Sequence, residues 1–224
     1  MPAETCHTYR AEPRRSSCSF AIGAEPAERS DEVSLTAECE RQIDADSPNR
    51  SLVALWDLSG AETDGQCELL ASLLHHDDPR VVDAAEQALW RLWFASGPTT
   101  VQSDLYRAML HLQAERWPEA LADLDAVLAV EPGYAEAWNQ RAIAHYFAGD
   151  YCRSVCDCRR ALMLNPYHFG AMAGMGHCFA QLGRFEDAME CYHRALQIHP
   201  RMEGVRQTIR EIRMWTRPSR PAGC

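Results

Sequence analysis

A 34-residue period dominates the second half of this chain and constrains its fold more than any other feature. Three prolines, Pro132, Pro166 and Pro200, stand 34 residues apart, and the aromatic residues Trp117, Tyr151 and Phe185 follow the same spacing. A fixed period of this length is typical of stacked supersecondary units, each packing on its neighbours, rather than of one closed globule. The sequence therefore predicts an elongated stack of similar units between residues 101 and 202.

Small residues recur inside each period where two helices would have to cross closely. With the proline numbered as position 32, the units are residues 101–134, 135–168 and 169–202. Position 8 carries Ala108, Ala142 and Gly176, and position 20 carries Ala120, Ser154 and Ala188. A larger side chain at either position would force the two helices apart. Each unit is therefore predicted to be a pair of antiparallel helices with a turn near position 15, where the second and third units have glycine.

This pattern closely resembles the tetratricopeptide repeat family, and the third unit carries the fullest match. That unit has Gly176, Phe179, Gly183, Phe185, Ala188, Tyr192, Ala195, Leu196 and Pro200 in the expected register. The first unit departs most, with Asp104 and Glu115 where an aromatic residue and a glycine are usual. The resemblance implies an all-α fold, an α-α superhelix of three helix pairs, and a role in protein binding rather than catalysis.

The flanking regions are predicted to differ from the repeats. Residues 1–46 contain few large apolar residues and many acidic ones, which predicts a disordered acidic segment. Residues 47–98 are predicted to be a helical segment, and its part at 66–95 resembles a HEAT repeat whose helix pair covers the apolar face of the first unit. Residues 203–216 are predicted to form a capping helix with Val205, Ile209, Ile212 and Trp215 on its apolar stripe, and residues 217–224 a loose tail.

Charge and composition exclude several classes of function. The net charge is −10; residues 1–98 hold 18 acidic residues and eight arginines, whereas residues 99–224 hold 14 of each. Neither half is a basic surface for nucleic acid. No apolar run is long enough for a membrane span and no signal peptide is recognisable, so we expect a cytoplasmic protein without a membrane or nucleic-acid partner. No phosphate-binding loop or hydrolase motif appears, so no enzyme activity or cofactor is expected.

The concave surface lined by the first helix of each unit is the predicted binding site. Its expected partner-binding residues are mainly apolar: Leu105, Met109, Leu112, Asn139, Ile143, Tyr146 and His177. They favour an extended or helical peptide that offers apolar side chains. An alternative is that the N-terminal helix pair, or the segment at 1–46, covers part of this surface. A further possibility is a structural role through stacking with another repeat protein or with a second copy of the chain.

Chaperone C-terminal tails are not expected as ligands on the sequence alone. Relatives that hold such a carboxylate are expected to use lysine, arginine and asparagine, whereas the corresponding positions here carry Leu105, Met109, Gln140, Gly170 and Gly174. A carboxylate there would lack a charge-assisted hydrogen bond.

The cysteines of the second unit suggest an alternative function, that of a metal- or redox-responsive protein. Cys152, Cys156 and Cys158 lie on one predicted helix, and the first two share a face, as two metal ligands would. The competing interpretation is that they are ordinary thiols, with Cys158 packed in the core; no metal is expected. The run from His75 to Asp78 is interpreted as a polar turn in which Asp78 caps the next helix.

Overall fold

The computed structural model describes residues 65–215, which contain helices and no strand. The helices, numbered in chain order, are α1 Gln66–Leu73, α2 Pro79–Ala95, α3 Thr99–Gln113, α4 Trp117–Val130, α5 Ala135–Phe147, α6 Tyr151–Leu164, α7 Phe169–Gln181, α8 Phe185–Ile198 and α9 Glu203–Trp215. The predicted all-α class is confirmed. The predictions for residues 1–46, for the beginning of 47–98, and for 216–224 fall outside the described residues. No described helix is long and apolar enough to cross a bilayer.

The helices of the periodic region pack in sequential pairs, α3 with α4, α5 with α6, and α7 with α8. Each pair turns at position 15 through a left-handed backbone conformation, with φ of 56° at Glu115, 80° at Gly149 and 72° at Gly183. Glycine adopts this conformation without penalty, whereas a residue with a Cβ is strained in it. The first unit therefore forms the same turn as the other two despite its departure from glycine.

The small residues of the repeat lie where the paired helices approach most closely. A Cβ on Gly176 would lie 2.6 Å from a ring carbon of Tyr192, so any larger residue would displace that fully buried ring. In the second unit, the Ser154 hydroxyl donates a hydrogen bond of 2.7 Å to the carbonyl of Ala142, joining positions 20 and 8 directly. The predicted close crossing of the two helices is thus present at the predicted positions.

Helix α2 runs along one edge of the stack. This edge, which we call the turn edge, consists of the inter-unit turns at residues 131–134, 165–168 and 199–202. The Tyr134 hydroxyl donates to the carbonyl of Phe94 at 2.6 Å, at the first turn. The ring of Trp93 stacks on His168 at the second turn, with centroids 4.3 Å apart. At the third turn, the carboxylate of Glu86 lies 3.2 Å from His199 Nε2.

This position corrects the expectation that the N-terminal pair covers the apolar face of the first unit. The core of α1 and α2 includes Phe169 and packs against Ile198 and Met202, which belong to the third unit. Meanwhile Tyr106 and Leu110 on α3 stay 63% and 44% exposed. The reason is geometric: only three residues separate α2 from α3, and α2 is long enough to reach along the turn edge to the other end of the stack.

Helix α9 packs on the third unit as a capping helix. Val205, Ile209 and Ile212 are buried on the third unit's core. Trp215 was predicted to join this stripe and does not, because it is the last residue of α9 and is 73% exposed.

Candidate functional site

The concave surface contains an apolar cavity of about 240 Å³ between α5 and α7, which we call the groove cavity. Its lining consists of Asn139, Ala142, Ile143, Tyr146, Phe147, Ser154, Cys158, Gly170, Ala173, Gly174 and His177. The cavity exists because α7 presents glycine and alanine where larger side chains would fill it. A Cβ on Gly174 would lie 3.7 Å from the Cys158 sulfur, so a side chain could start there in ordinary van der Waals contact and extend into the cavity. Its size and apolar lining suit one large apolar side chain of a ligand.

Four of the seven predicted site residues meet at the groove cavity: Asn139, Ile143, Tyr146 and His177. The three from the first unit do not line it. Leu105 is 3% exposed and belongs to the core between α3, α4 and α5, so its side chain is not available to a partner. Leu112 packs against the same core. Met109 is partly exposed on α3, away from the cavity lining. The structure thus concentrates the candidate site on the second and third units.

A buried polar network lies beneath the groove cavity and holds Asn139. The Glu136 carboxylate is fully buried, and its Oε1 accepts hydrogen bonds from Gln140 Nε2 at 2.6 Å and Asn139 Nδ2 at 3.3 Å. Its Oε2 lies 2.8 Å from His168 Nε2. Since His168 Nδ1 accepts from the Ala171 amide, the hydrogen of a neutral His168 ring must be on Nε2, which donates to Glu136.

This network connects the groove to the N-terminal helices. Trp93 of α2 stacks on the His168 ring, and Trp90 lies so close to Gly170 that a Cβ there would be 2.9 Å from its ring. The alternative that the N-terminal pair covers part of the concave surface therefore applies to its edge at the start of α7. Farther along, Ile143, Tyr146 and His177 remain partly exposed. No sequence pattern groups Glu136, His168 and Trp93, because only the packing of α2 brings Trp93 to His168 at position 34.

His177 is held in a neutral state at the cavity wall. Its Nδ1 lies 2.8 Å from the Tyr192 hydroxyl, and burial lowers the pKa of His177 below its usual value, since desolvation disfavours the imidazolium. Burial also raises the pKa of the Tyr192 phenol, which keeps that hydroxyl protonated. The pair can accept or donate a hydrogen bond to a ligand without carrying charge.

The cysteines of α6 do not form one cluster. Cys152 and Cys156 are exposed, whereas Cys158 is buried at the floor of the groove cavity. Burial raises the pKa of the Cys158 thiol, which keeps it in its unreactive protonated form. Among residues 65–215, no group of three or more His, Cys, Asp or Glu side chains is arranged to hold a metal ion. The run at His75–Asp78 is a helix cap: Asp78 accepts from the Arg80 amide, and its side-chain hydrogen bond with Arg80 lowers the pKa of Asp78 to about 2.

A second cleft, of about 590 Å³, lies between the N-terminal pair and the first two turns of the turn edge. Cys67, Leu92 and Trp93 line one side of the cleft. Residues in and next to the first two turns line the other: Gly133, Ala135, Leu164, Asn165, Pro166 and Tyr167. The indole Nε1 of Trp93 is buried and has no hydrogen-bond partner among the described residues. No sequence motif indicated this cleft, since it forms only where α2 crosses the turns.

In comparison with known proteins, this chain is similar to helical-repeat proteins of the α-α superhelix type. A tetratricopeptide repeat protein of Rhizobium etli is 31% identical over 133 residues, covering 59% of this chain and 65% of the relative. The SGT1 homologue of Bos taurus is 31% identical over 99 residues, covering 44% of this chain and 29% of its own length. The chain therefore spans less than two thirds of either relative.

Solved structures show the same fold at low identity. The first tetratricopeptide domain of Spaghetti, bound to the HSP90 peptide SRMEEVD, matches with a TM-score of 0.50 and 19% identity, over 51% of this chain and 91% of that domain. MamA matches with a TM-score of 0.50 and 20% identity, over 59% of this chain and 77% of its own. Residues 171–202 also match the family model described as tetratricopeptide repeat. Residues 171–202 thus carry a tetratricopeptide repeat, and the predicted α-α superhelix is confirmed.

The expectation against chaperone tails is wrong. The Spaghetti domain binds an HSP90 peptide, and the TPR2B domain of yeast Sti1, solved as a complex with pHsp70, matches with a TM-score of 0.50 and 14% identity, over 53% of this chain and 99% of that one. The exclusion relied on five side chains lacking a positive charge. A tail peptide also carries apolar side chains, which a groove without lysine or arginine can contact, so the missing charge does not exclude this ligand class.

Proposed function

We propose that the chain is a protein-interaction adaptor whose groove cavity seats one large apolar side chain of an extended or helical peptide. The observation that carries this proposal is the cavity itself, about 240 Å³ with an apolar lining, open on the concave surface. Similarity to domains that bind peptides supports the adaptor class. The peptide backbone would be oriented by the neutral polar groups at the rim, Asn139 and His177.

The cavity offers a sharp test because it depends on Gly174. Gly174→Leu extends a side chain into the groove cavity, with its Cβ in van der Waals contact with Cys158, whereas Gly204→Leu places the same side chain on α9, where nothing lies within 4 Å of the new Cβ. Both replace a helical glycine, so both are expected to keep the fold, which circular dichroism would verify. Only the first fills the groove cavity.

Binding would be measured by fluorescence anisotropy with labelled peptides. The first probe is SRMEEVD, and further probes come from random heptapeptides displayed on phage and selected on the full chain. We expect selected peptides to share a large apolar residue and to bind Gly174→Leu at least tenfold more weakly than wild type or Gly204→Leu. Equal affinity for all three proteins, or no selected peptide, would contradict the proposal.

A metal- or redox-responsive role of Cys152, Cys156 and Cys158 gains no specific support, because the third thiol is buried away from the other two. The cytoplasmic location and the lack of nucleic-acid or membrane partners stay predictions.

A further inference from the structure

The outer face of α3 is a repeat-stacking surface that no described residue covers. We call it the stacking face: positions 3, 6 and 10 of the first unit, Ser103, Tyr106 and Leu110. The corresponding residues at positions 3 and 10 of the second and third units, Ala137, Ala144, Ala171 and Cys178, are all 0% exposed. Those residues are buried because the preceding unit packs on them, α4 against α5 and α6 against α7. Leu110 has the geometry of these residues and Tyr106 lies one turn before it, but no preceding repeat unit covers them among residues 65–215.

The two ends of the stack differ in this respect. At the C-terminal end, α9 buries its apolar stripe and turns Arg206, Arg210 and Arg213 to solvent. Arg210 is paired with Glu203 at 2.7 Å. Burying this face under another unit would require desolvating the arginines, which is unfavourable without new partners. Self-association by continued head-to-tail stacking is therefore disfavoured.

The stacking face is complementary to itself. The exposed strip on this side of α3 also includes Thr99 and Gln113. Its five uncharged residues are therefore Thr99, Ser103, Tyr106, Leu110 and Gln113, at intervals of four, three, four and three residues, which is the spacing of a helix-packing seam. If two α3 helices pack antiparallel about a two-fold axis near Ala108, Tyr106 of one copy lies opposite Leu110 of the other. Ser103 then lies opposite Gln113, within hydrogen-bonding reach.

The charges of α3 do not oppose such a pairing. Its charged side chains, Asp104 and Arg107, form an ion pair of 2.9 Å within the helix, and its one histidine, His111, lies 3.5 Å from the carboxylate of Asp123 on α4. Arg107 also pairs with Asp123 of α4 at 2.7 Å. The repulsion between two copies comes instead from the overall charge of −10, which acts at longer range and is screened by salt.

We propose that the stacking face is a homodimer interface, at which a second copy of this chain packs its own α3 antiparallel about a two-fold axis. One helix face is smaller than the ~800 Å² per partner of a standard stable interface, so the dimer is weak and depends on concentration. An isologous contact uses the same patch on both copies and closes at two. The concave groove cavities stay free, so this interface acts independently of peptide binding.

The test is sedimentation equilibrium of the full chain over a wide concentration range, at salt concentrations that give screening lengths of ~10 Å (about 0.1 M) and ~3 Å (about 1 M). We expect the mass to rise with concentration and to level off at twice the 25.2 kDa of the chain, with tighter association at high salt. Leu110→Glu is expected to weaken association at least tenfold. Met214→Glu is the matched control, since Met214 is an apolar residue with 66% exposure at the opposite end, and it should leave the association unchanged.

Three results would overturn the proposal. The first is a single-chain mass at every concentration; hydrogen exchange would then show whether residues 1–64 protect α3 within the same chain. The second is a dimer that persists in Leu110→Glu. The third is a mass that grows beyond two chains and is reduced by Met214→Glu, which would indicate head-to-tail stacking.

Discussion

Replacing Glu136 tests whether the buried polar network holds the groove and the N-terminal helices together. Glu136→Met keeps the side chain's length but removes the acceptor of three hydrogen bonds, from Gln140, Asn139 and His168. Gln140 is 8% exposed and can turn toward water, whereas His168 is fully buried and its Nε2–H is left without a partner. Leaving a buried hydrogen-bond donor without its acceptor costs ~1–3 kcal/mol. Because His168 is fully buried and cannot reach water, we expect the upper end, ~3 kcal/mol.

Glu119→Met is the matched control for this substitution. Glu119 also lies in the first turn of its helix, so both variants lose the same favourable interaction with the helix dipole. Glu119 is exposed and makes no buried hydrogen bond, so its replacement should cost less than ~1 kcal/mol.

The free energies of unfolding would be measured by urea denaturation, followed by tryptophan fluorescence because Trp93 stacks on His168. We expect a difference of ~2 kcal/mol between the two variants, with an altered indole signal only in Glu136→Met. If both variants lose the same stability, the network does not stabilise the fold and the reasoning fails.

Three further predictions concern the turns, a histidine and the thiols. Glu115→Gly relieves a strained φ of 56° and should raise stability by up to ~1 kcal/mol, whereas Gly149→Ala, at φ of 80°, should lower it by about as much; thermal denaturation of both variants checks this. Burial lowers the pKa of His177 in the folded chain, so the unfolded chain binds more protons as the pH falls below about 6.5, and the free energy of unfolding should decrease over that range. His177→Asn should reduce this pH dependence in urea titrations at pH 5 to 8. An unchanged pH dependence would contradict the prediction. Cys152 and Cys156 are exposed, so replacing both with serine should remove two fast-reacting thiols from a thiol-reagent titration of the native protein; a loss of none would show that the exposure is misjudged.

The turns at position 15 show where the local sequence predicts the backbone conformation and where it does not. Gly149 and Gly183 predict a left-handed turn because glycine has no Cβ to clash. Glu115 predicts nothing of the kind, yet it adopts the same conformation. The packing of α3 on α4 imposes the turn there, and local preference is overridden by the contacts of the whole unit.

The candidate site was predicted in part. Asn139, Ile143, Tyr146 and His177 were placed on the concave surface from their register within a repeat, and they line the groove cavity. Leu105 has the corresponding register in the first unit, but it is buried. Register fixes the direction of a side chain on its helix, while its exposure depends on what neighbouring units place beside it.

The 34-residue period by itself determined the helix pairs, their small-residue crossings and the superhelical class, because each of these depends on contacts within one repeat or between adjacent ones. Only the tertiary structure decided where α2 lies, since its contacts with Tyr134, His168 and His199 join residues 40 to 113 positions apart. That placement left the stacking face of α3 open. Contacts between distant segments carry no period, so a repeating sequence specifies the stack but not what packs along its edge.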